Sequence, residues 1–378
     1  MKKLFLHSYH SDSGAIFKDV ERYSIPKDYG NVLNEIDAIN NTIGLLDRSY
    51  LGKILVKGKD SLDLLNRIST NDLQYLSIGT VCDTIFVTPK GRMIDYCRII
   101  NIGDNQFILI CSFINVNHLM DWINRFIILE DIELKDVTNE YVWVTLLGPR
   151  CKAFLNKYSK IVISEGDDAI WLDYNTVHFP AFKNTNFIVP AYNFCFTNSE
   201  AKQIFANLLT SIHEWNGSLI GDTAFQIIRI ESGMPDWGTE ITEDYNPHEA
   251  RLLNAVSFTK GCYTGQEVIA RLDTYDKVQK YLMNFEFDSI VDQETPIDVF
   301  LDDEQIGKLT SYIFNPISGT YIGLGYIKKM YANQNDLFIE LKIVKEYKAS
   351  SLLLEDYLVN PRPSRRIPAR FKNPPTAY

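Results

Sequence analysis

The chain has 378 residues, 46% of them hydrophobic and 23% charged, with a formal net charge of −10. This is the composition of a soluble globular protein with a sizeable core, and at roughly 100–200 residues per domain it predicts two or three domains. The acidic balance argues against a general nucleic-acid binder, and no apolar run approaches the ~18 residues of a membrane span. The opening Met1-Lys2-Lys3-Leu4-Phe5-Leu6-His7 is basic, but its apolar run is too short for a signal peptide. The six cysteines are scattered without a Cys-x-x-Cys pair, and four lie in apolar runs as reduced core thiols do. A reducing compartment, the cytoplasm, is the expected location.

In chain order, residues 36–44 read as a short helix closing at glycine. Ile54-Leu55-Val56 reads as a strand, Gly58 as a turn, and Asp60 as the N-cap of a helix carrying Leu62, Leu65 and Ile68. A strand pair is expected at 84–88 and 93–100, joined by Pro89-Lys90-Gly91, then a strand over 106–111 and a helix over 118–126. The polar Glu133-Leu134-Lys135-Asp136 reads as a connection. Strand, glycine and helix at 54–67 have a weak echo at 145–157, which suggests one unit used twice. Thr197 with Glu200 forms a capping-box pattern ahead of a structural helix bearing Ala201, Ile204, Phe205, Leu208 and Ile212. From Lys280 onward, short apolar runs at 281–287, 297–301, 306–313, 321–326 and 337–344 suit a small antiparallel barrel or sandwich. The basic, Pro-rich end, residues 359–378, reads as a solvated strap or disordered tail, with a partner-binding arm as the alternative.

The densest segment is Lys260-Gly261-Cys262-Tyr263-Thr264-Gly265-Gln266-Glu267-Val268-Ile269-Ala270-Arg271. A helix opening near Gly265 places Cys262 just before its N-terminus, where exposed N–H groups, the helix dipole and Lys260 would favour a thiolate. The same residues also suit a buried cysteine in a glycine-rich turn, with an i,i+4 Glu267–Arg271 pair. His7 and His10 are the only close histidines, so no metal site is expected.

This segment resembles the signature of the folate-binding YgfZ proteins, which share a superfamily with the glycine-cleavage T-protein, an aminomethyltransferase. Further landmarks similar to the superfamily are Ile43 to Ser49, Thr70-Asn71-Asp72-Leu73, Ile228 to Pro235, Trp237-Gly238-Thr239-Glu240 and Asn246 to Ala250. The resemblance implies an α+β, three-domain ring-like fold with ferredoxin-like βα subdomains, a C-terminal antiparallel β-barrel and a central folate cavity. The implied folate-binding domain is split between 1–50 and 138–275. A ferredoxin-like subdomain is inserted at 51–137, and the barrel spans 280–358.

The resemblance also implies tetrahydrofolate as cofactor. It makes Cys262, Asp95 and Lys260 the catalytic candidates, and Arg229, Glu240, Tyr263, Gln266, Glu267 and Arg271 the cofactor-binding ones. Arg229 matches a folate-contacting arginine of the T-protein; an ion pair with Glu231 or Glu249 is its alternative. Asp95, in Gly91-Arg92-Met93-Ile94-Asp95-Tyr96, matches the T-protein's catalytic aspartate, with Tyr96 where that family has a second one; a surface carboxylate near a turn is the alternative. Where the T-protein has a pterin-holding glutamate, Phe187 to Phe194 contains no acid. Three readings follow. The first is a YgfZ-like factor using tetrahydrofolate and Cys262 to support iron–sulfur client proteins. The second is a folate-dependent aminomethyl- or methyltransferase using Asp95. The third is a folate-binding interaction protein without chemistry.

Overall fold

The computed structural model describes residues 1–159, 168–174, 177–288, 294–332, 338–343 and 365–375. Two sheets of the same plan form the body. In the first, the strands lie across the sheet as Val81–Val87, Met93–Gly103, Gln106–Cys111, Gly52–Lys57 and Glu133–Asp136. In the second the order is Ala169–Tyr174, Val177–Lys183, Ala191–Thr197, Tyr141–Leu147, Gly44–Asp47 and Ser218–Leu219. Each sheet is built as strand, helix, three antiparallel strands, helix, strand. The helices are Ser61–Ile68 and Val116–Asn124 in one, Cys151–Asn156 and Asn198–Glu214 in the other. In the second sheet Gly44–Asp47 is wedged between the first and last strands of the unit.

The echo between 54–67 and 145–157 therefore extends to two copies of one topology. The turn glycines match as well: Gly58 sits at φ +137° and Gly148 at +135°. A Cβ on Gly58 would lie 1.8 Å from the carbonyl oxygen of Asp131, and one on Gly148 would lie 2.4 Å from that of Thr42. Only glycine fits either turn.

Amphipathic patterning accounts for most elements. The helix Asn198–Glu214 buries Ala201, Ile204, Phe205, Leu208 and Ile212, and the Thr197 hydroxyl donates to the Glu200 carboxylate at 2.7 Å. Glu133–Asp136, expected as a connection, is instead an edge strand antiparallel to Gly52–Lys57. Charged residues suit an exposed edge, and they hide the alternation by which a strand is read.

The C-terminal part is a closed barrel in the order Lys280–Phe287, Thr320–Lys328, Glu304–Asn315, Ile297–Leu301, Phe338–Ile343, Arg365–Lys372. The expected strap or disordered tail supplies its last strand. Ile367, Ala369 and Phe371 point into the barrel core, alternating with Pro368 and Arg370. Basic and proline residues dominate the composition of the segment, yet its apolar positions keep the period of two that a strand needs. Gly323 and Gly325 lie inside a barrel strand opposite a bulge at Leu309/Ser311, where an added Cβ would lie 2.6 Å from the carbonyl oxygen of Ser311 and 2.3 Å from that of Lys308. Among the described residues no helix is long and apolar enough to cross a membrane.

Candidate active site

Asp95 sits on the long strand Met93–Gly103, just after a hairpin turn closed by the Gly91 N–H donating to the Thr88 carbonyl at 2.8 Å. A surface carboxylate is excluded, because Asp95 is 1% exposed. One of its oxygens, Oδ2, accepts from the Ser112 backbone N–H and from the Asn115 side-chain amide, both at 3.2 Å. The other, Oδ1, is buried and has no hydrogen-bond partner among the described residues. Burial disfavours the charged carboxylate and raises its pKa to about 7, against the opposing pull of the Asn115 side chain and of the Ser112 and Tyr96 backbone N–H groups. Near neutral pH the group therefore populates both protonation states.

Asp95 lines a cavity of about 240 Å³ together with Ser112, Asn115, His118, Trp237 and Glu243, among others. The Trp237 ring is fixed by its Nε1–H donating to the Tyr96 carbonyl at 3.0 Å and by the Arg48 guanidinium 5.4 Å from its centroid. Trp237 and Gly238 thus wall an aromatic pocket. Tyr96 is buried, and its hydroxyl accepts from the Asn186 amide at 2.8 Å. The cavity's polar residues at 112–118 were not singled out in the sequence. The only local signal was the junction where an apolar strand ends at Cys111 and the helix Val116–Asn124 begins behind Asn115.

Arg229 and Glu240 are brought together in a separate cluster. Arg229 projects from the helix Asp222–Glu231 and is 2% exposed; Glu240 is 0% exposed. The guanidinium donates to Gln226 Oε1 at 2.6 Å, the Met234 carbonyl at 2.9 Å, Glu240 Oε2 at 3.3 Å and Ser311 Oγ at 3.1 Å. Glu240 also accepts from the Asp236 N–H and from the Thr239, Thr310 and Ser311 hydroxyls. The arginine's partner is thus neither Glu231 nor Glu249. Glu231 accepts from Asn315, and Glu249 pairs with Arg92 at 3.4 Å. The cluster ties the helix and the Trp237 loop to the barrel strand Glu304–Asn315, and its donors are directed at protein groups.

The segment around Cys262 has a third arrangement. Its helix runs Gln266–Thr274 behind Gly265, at φ +79°, where a Cβ would lie 2.6 Å from the Thr88 carbonyl oxygen. Lys260, expected to tune the thiol, turns the other way. Its ammonium donates to the carbonyls of Asn66 at 2.6 Å, Ser69 at 3.0 Å and Asn71 at 2.5 Å. Those carbonyls lie in and just beyond the last turn of the helix Ser61–Ile68, where orphan C=O groups and the dipole attract a cation. Burial lowers the Lys260 pKa to about 8, and the ammonium lies 5.2 Å from the Tyr263 ring centroid. Tyr263 is buried, which pushes its hydroxyl up to about 12. The Gln266 amide reaches the Gly261 carbonyl at 3.5 Å. Glu267 and Arg271 are exposed, and no ion pair joins them among the described residues. Cys262 is the one exposed cysteine of six free thiols, and it does not line the Asp95 cavity.

Comparison with known proteins follows the same division of the chain. The GCVT N-terminal domain family matches residues 6–260, and the glycine cleavage T-protein C-terminal barrel domain matches 280–354. The aminomethyltransferase of Caldanaerobacter subterraneus subsp. tengcongensis is 25% identical over 362 residues, covering 91% of this chain and 94% of that protein. A chloroplastic protein of Arabidopsis thaliana described as a transferase is 29% identical over 333 residues, covering 87% of this chain and 74% of its own length. The crystal structure of glycine cleavage system aminomethyltransferase T from Bartonella henselae shares the fold, with a TM-score of 0.76 at 17% identity over 98% of this chain and 97% of that one. The chain belongs to the glycine-cleavage T-protein family, whose aminomethyltransferases use tetrahydrofolate.

Proposed function

We propose that this protein is a tetrahydrofolate-dependent one-carbon transferase of the aminomethyl type, with Asp95 as its catalytic carboxylate. The observation that carries this reading is the state of Asp95, buried on a cavity wall with one oxygen anchored and the other without a partner among the described residues. Tetrahydrofolate supplies a secondary amine that accepts the one-carbon unit. An N–H of that kind is the group a free carboxylate oxygen accepts. At about 240 Å³ the cavity is below the ~300–1,000 Å³ common for small-molecule sites, so it suits one ring system of a folate rather than the whole molecule.

The roles follow from the geometry. Ser112 and Asn115 hold Oδ2 and so aim the carboxyl group. A pKa of about 7 lets Oδ1 take a proton from the amine and return it at neutral pH. Trp237 offers a flat apolar face and keeps water from the carboxylate, while the Arg229–Glu240 cluster fixes the loop that carries it. Residues 187–194 provide no carboxyl group to hold a pterin, and Asn193 there accepts from the Thr145 hydroxyl at 2.8 Å. Recognition of the ring in this chain therefore rests on the cavity around Asp95.

The test is Asp95→Asn, assayed for conversion of tetrahydrofolate to methylene-tetrahydrofolate with an aminomethyl donor. A loss of roughly 10²–10⁴ in kcat with folate affinity kept supports the reading; an unchanged kcat overturns it.

The exposure of Cys262 favours a second reading, a YgfZ-like role toward iron–sulfur client proteins that uses this thiol. The aminomethyltransferase relatives and the Asp95 cavity rank it below the first. Deleting Cys262 and scoring iron–sulfur enzyme activity in cells decides it: full activity in Cys262→Ala removes this reading. Six free thiols support assignment to a reducing compartment, the cytoplasm.

A further inference from the structure

The cavity beside Asp95 holds a second polar group that the chemistry above does not use. Ser112 follows the strand Gln106–Cys111, is 2% exposed and lines the same cavity. Its backbone N–H is committed to Asp95 Oδ2, but its hydroxyl oxygen is buried and meets no partner among the described residues. Asp95 Oδ1 is in the same condition, and among the residues lining the cavity these two carry the orphaned buried atoms. Buried polar groups are seldom left without a partner, so a pair of them on one cavity wall points to a ligand that completes both.

We propose that Ser112 is a substrate-binding residue, its hydroxyl and the free Asp95 oxygen together receiving one polar edge of the ligand. The proposal rests on the folate reading and adds the residue that orients the ring. In its ionised form the carboxylate oxygen only accepts, so the ligand presents an N–H to that form of Asp95. A hydroxyl donates as readily as it accepts, so Ser112 takes the neighbouring acceptor. A reduced pterin carries a ring carbonyl beside its ring amine, which is this pair of groups. Asn115 makes the arrangement rigid. Its amide N–H₂ donates to Asp95 Oδ2 and to the Ile94 carbonyl at 2.7 Å, while its carbonyl oxygen is held 3.0 Å from His118 Nδ1.

The experiment is calorimetric titration of the full chain with tetrahydrofolate for wild type, Ser112→Ala and Ser112→Thr, alongside urea unfolding without ligand. Ser112→Ala should weaken the Kd about tenfold and leave the unfolding midpoint unchanged, because the lost hydroxyl has no partner among the described residues. Ser112→Thr keeps the hydroxyl and should bind within about threefold of wild type. Equal affinity of wild type and Ser112→Ala overturns the proposal, whatever happens to stability. A weakening shared by Ser112→Thr overturns it too, since shape rather than the hydroxyl is then responsible. A wild-type chain that does not bind tetrahydrofolate overturns the folate reading and this proposal with it, an outcome distinct from a failure of Ser112 alone.

Discussion

The Cys262 segment and the Asp95 cavity differ in how visible they are and in what they contain. The segment is the densest run of fixed residues in the chain. In the structure those residues mainly solve packing problems: Lys260 satisfies three orphan carbonyls, and Gly265 lets the helix start against the Thr88 carbonyl. Asp95 lies in an ordinary strand, and its sequence context alone favours a surface carboxylate near a turn. Folding buries it, lifts its pKa to about 7 and leaves one oxygen unmatched. Dense local constraint reports where backbones must approach each other. In the function proposed above, the chemistry falls instead to a polar group on a cavity wall that the fold buries without satisfying.

The largest effect that would break this comparison is expected at Asp95. Beyond its loss of turnover, Asp95→Asn should stabilise the protein in urea unfolding at pH 8. A carboxyl group whose folded pKa is raised contributes stability below its unfolded pKa, about 4, and loses it as pH rises through about 7. The stabilisation by Asn should therefore reach a few kcal/mol at pH 8 and vanish by about pH 4. A destabilised Asp95→Asn at pH 8 would assign the carboxylate to the fold.

Next in size is Arg229→Leu. It strands the Glu240 charge at 0% exposure and should cost about 3–5 kcal/mol in the unfolding free energy. A cost below about 1 kcal/mol would show that the cluster is not the anchor of the Trp237 loop.

Trp237→Ala opens one wall of the cavity and should raise KM for tetrahydrofolate about tenfold, with a smaller change in kcat. Unchanged kinetics would move the folate elsewhere.

Lys260→Met should cost about 1–3 kcal/mol, because three carbonyls lose their donor, and should leave kcat within about twofold. A collapse of kcat with stability intact would return Lys260 to the chemistry.

Much of the fold could be read from periodicity. The strands 106–111 and 297–301 match their expected bounds, and the helix behind Gly265 starts where glycine predicts. Among the strands that periodicity did not reveal, Glu133–Asp136 and Arg365–Lys372 carry charge or proline over their alternation. Asp95 was singled out by the resemblance of the run Gly91 to Tyr96 to the T-protein's motif, but its burial was not legible. Its anchored oxygen, Oδ2, is held by residues 17 and 20 positions away, and the indole that shares its cavity lies farther still along the chain. The surroundings of Lys260 were hidden for the same reason, since its acceptors lie 189 to 194 residues upstream. Sequence spacing describes neighbours along the chain, and these partners become neighbours only through tertiary packing.

The pH–rate profile of methylene transfer tests the central claim most directly, run in parallel on wild type, Asp95→Asn and Cys262→Ala. The wild type and Cys262→Ala should share a limb with an apparent pKa near 7, and that limb should be absent from the residual activity of Asp95→Asn. A limb that persists in Asp95→Asn, or that disappears when Cys262 is removed, would contradict the assignment of the chemistry to the buried carboxylate.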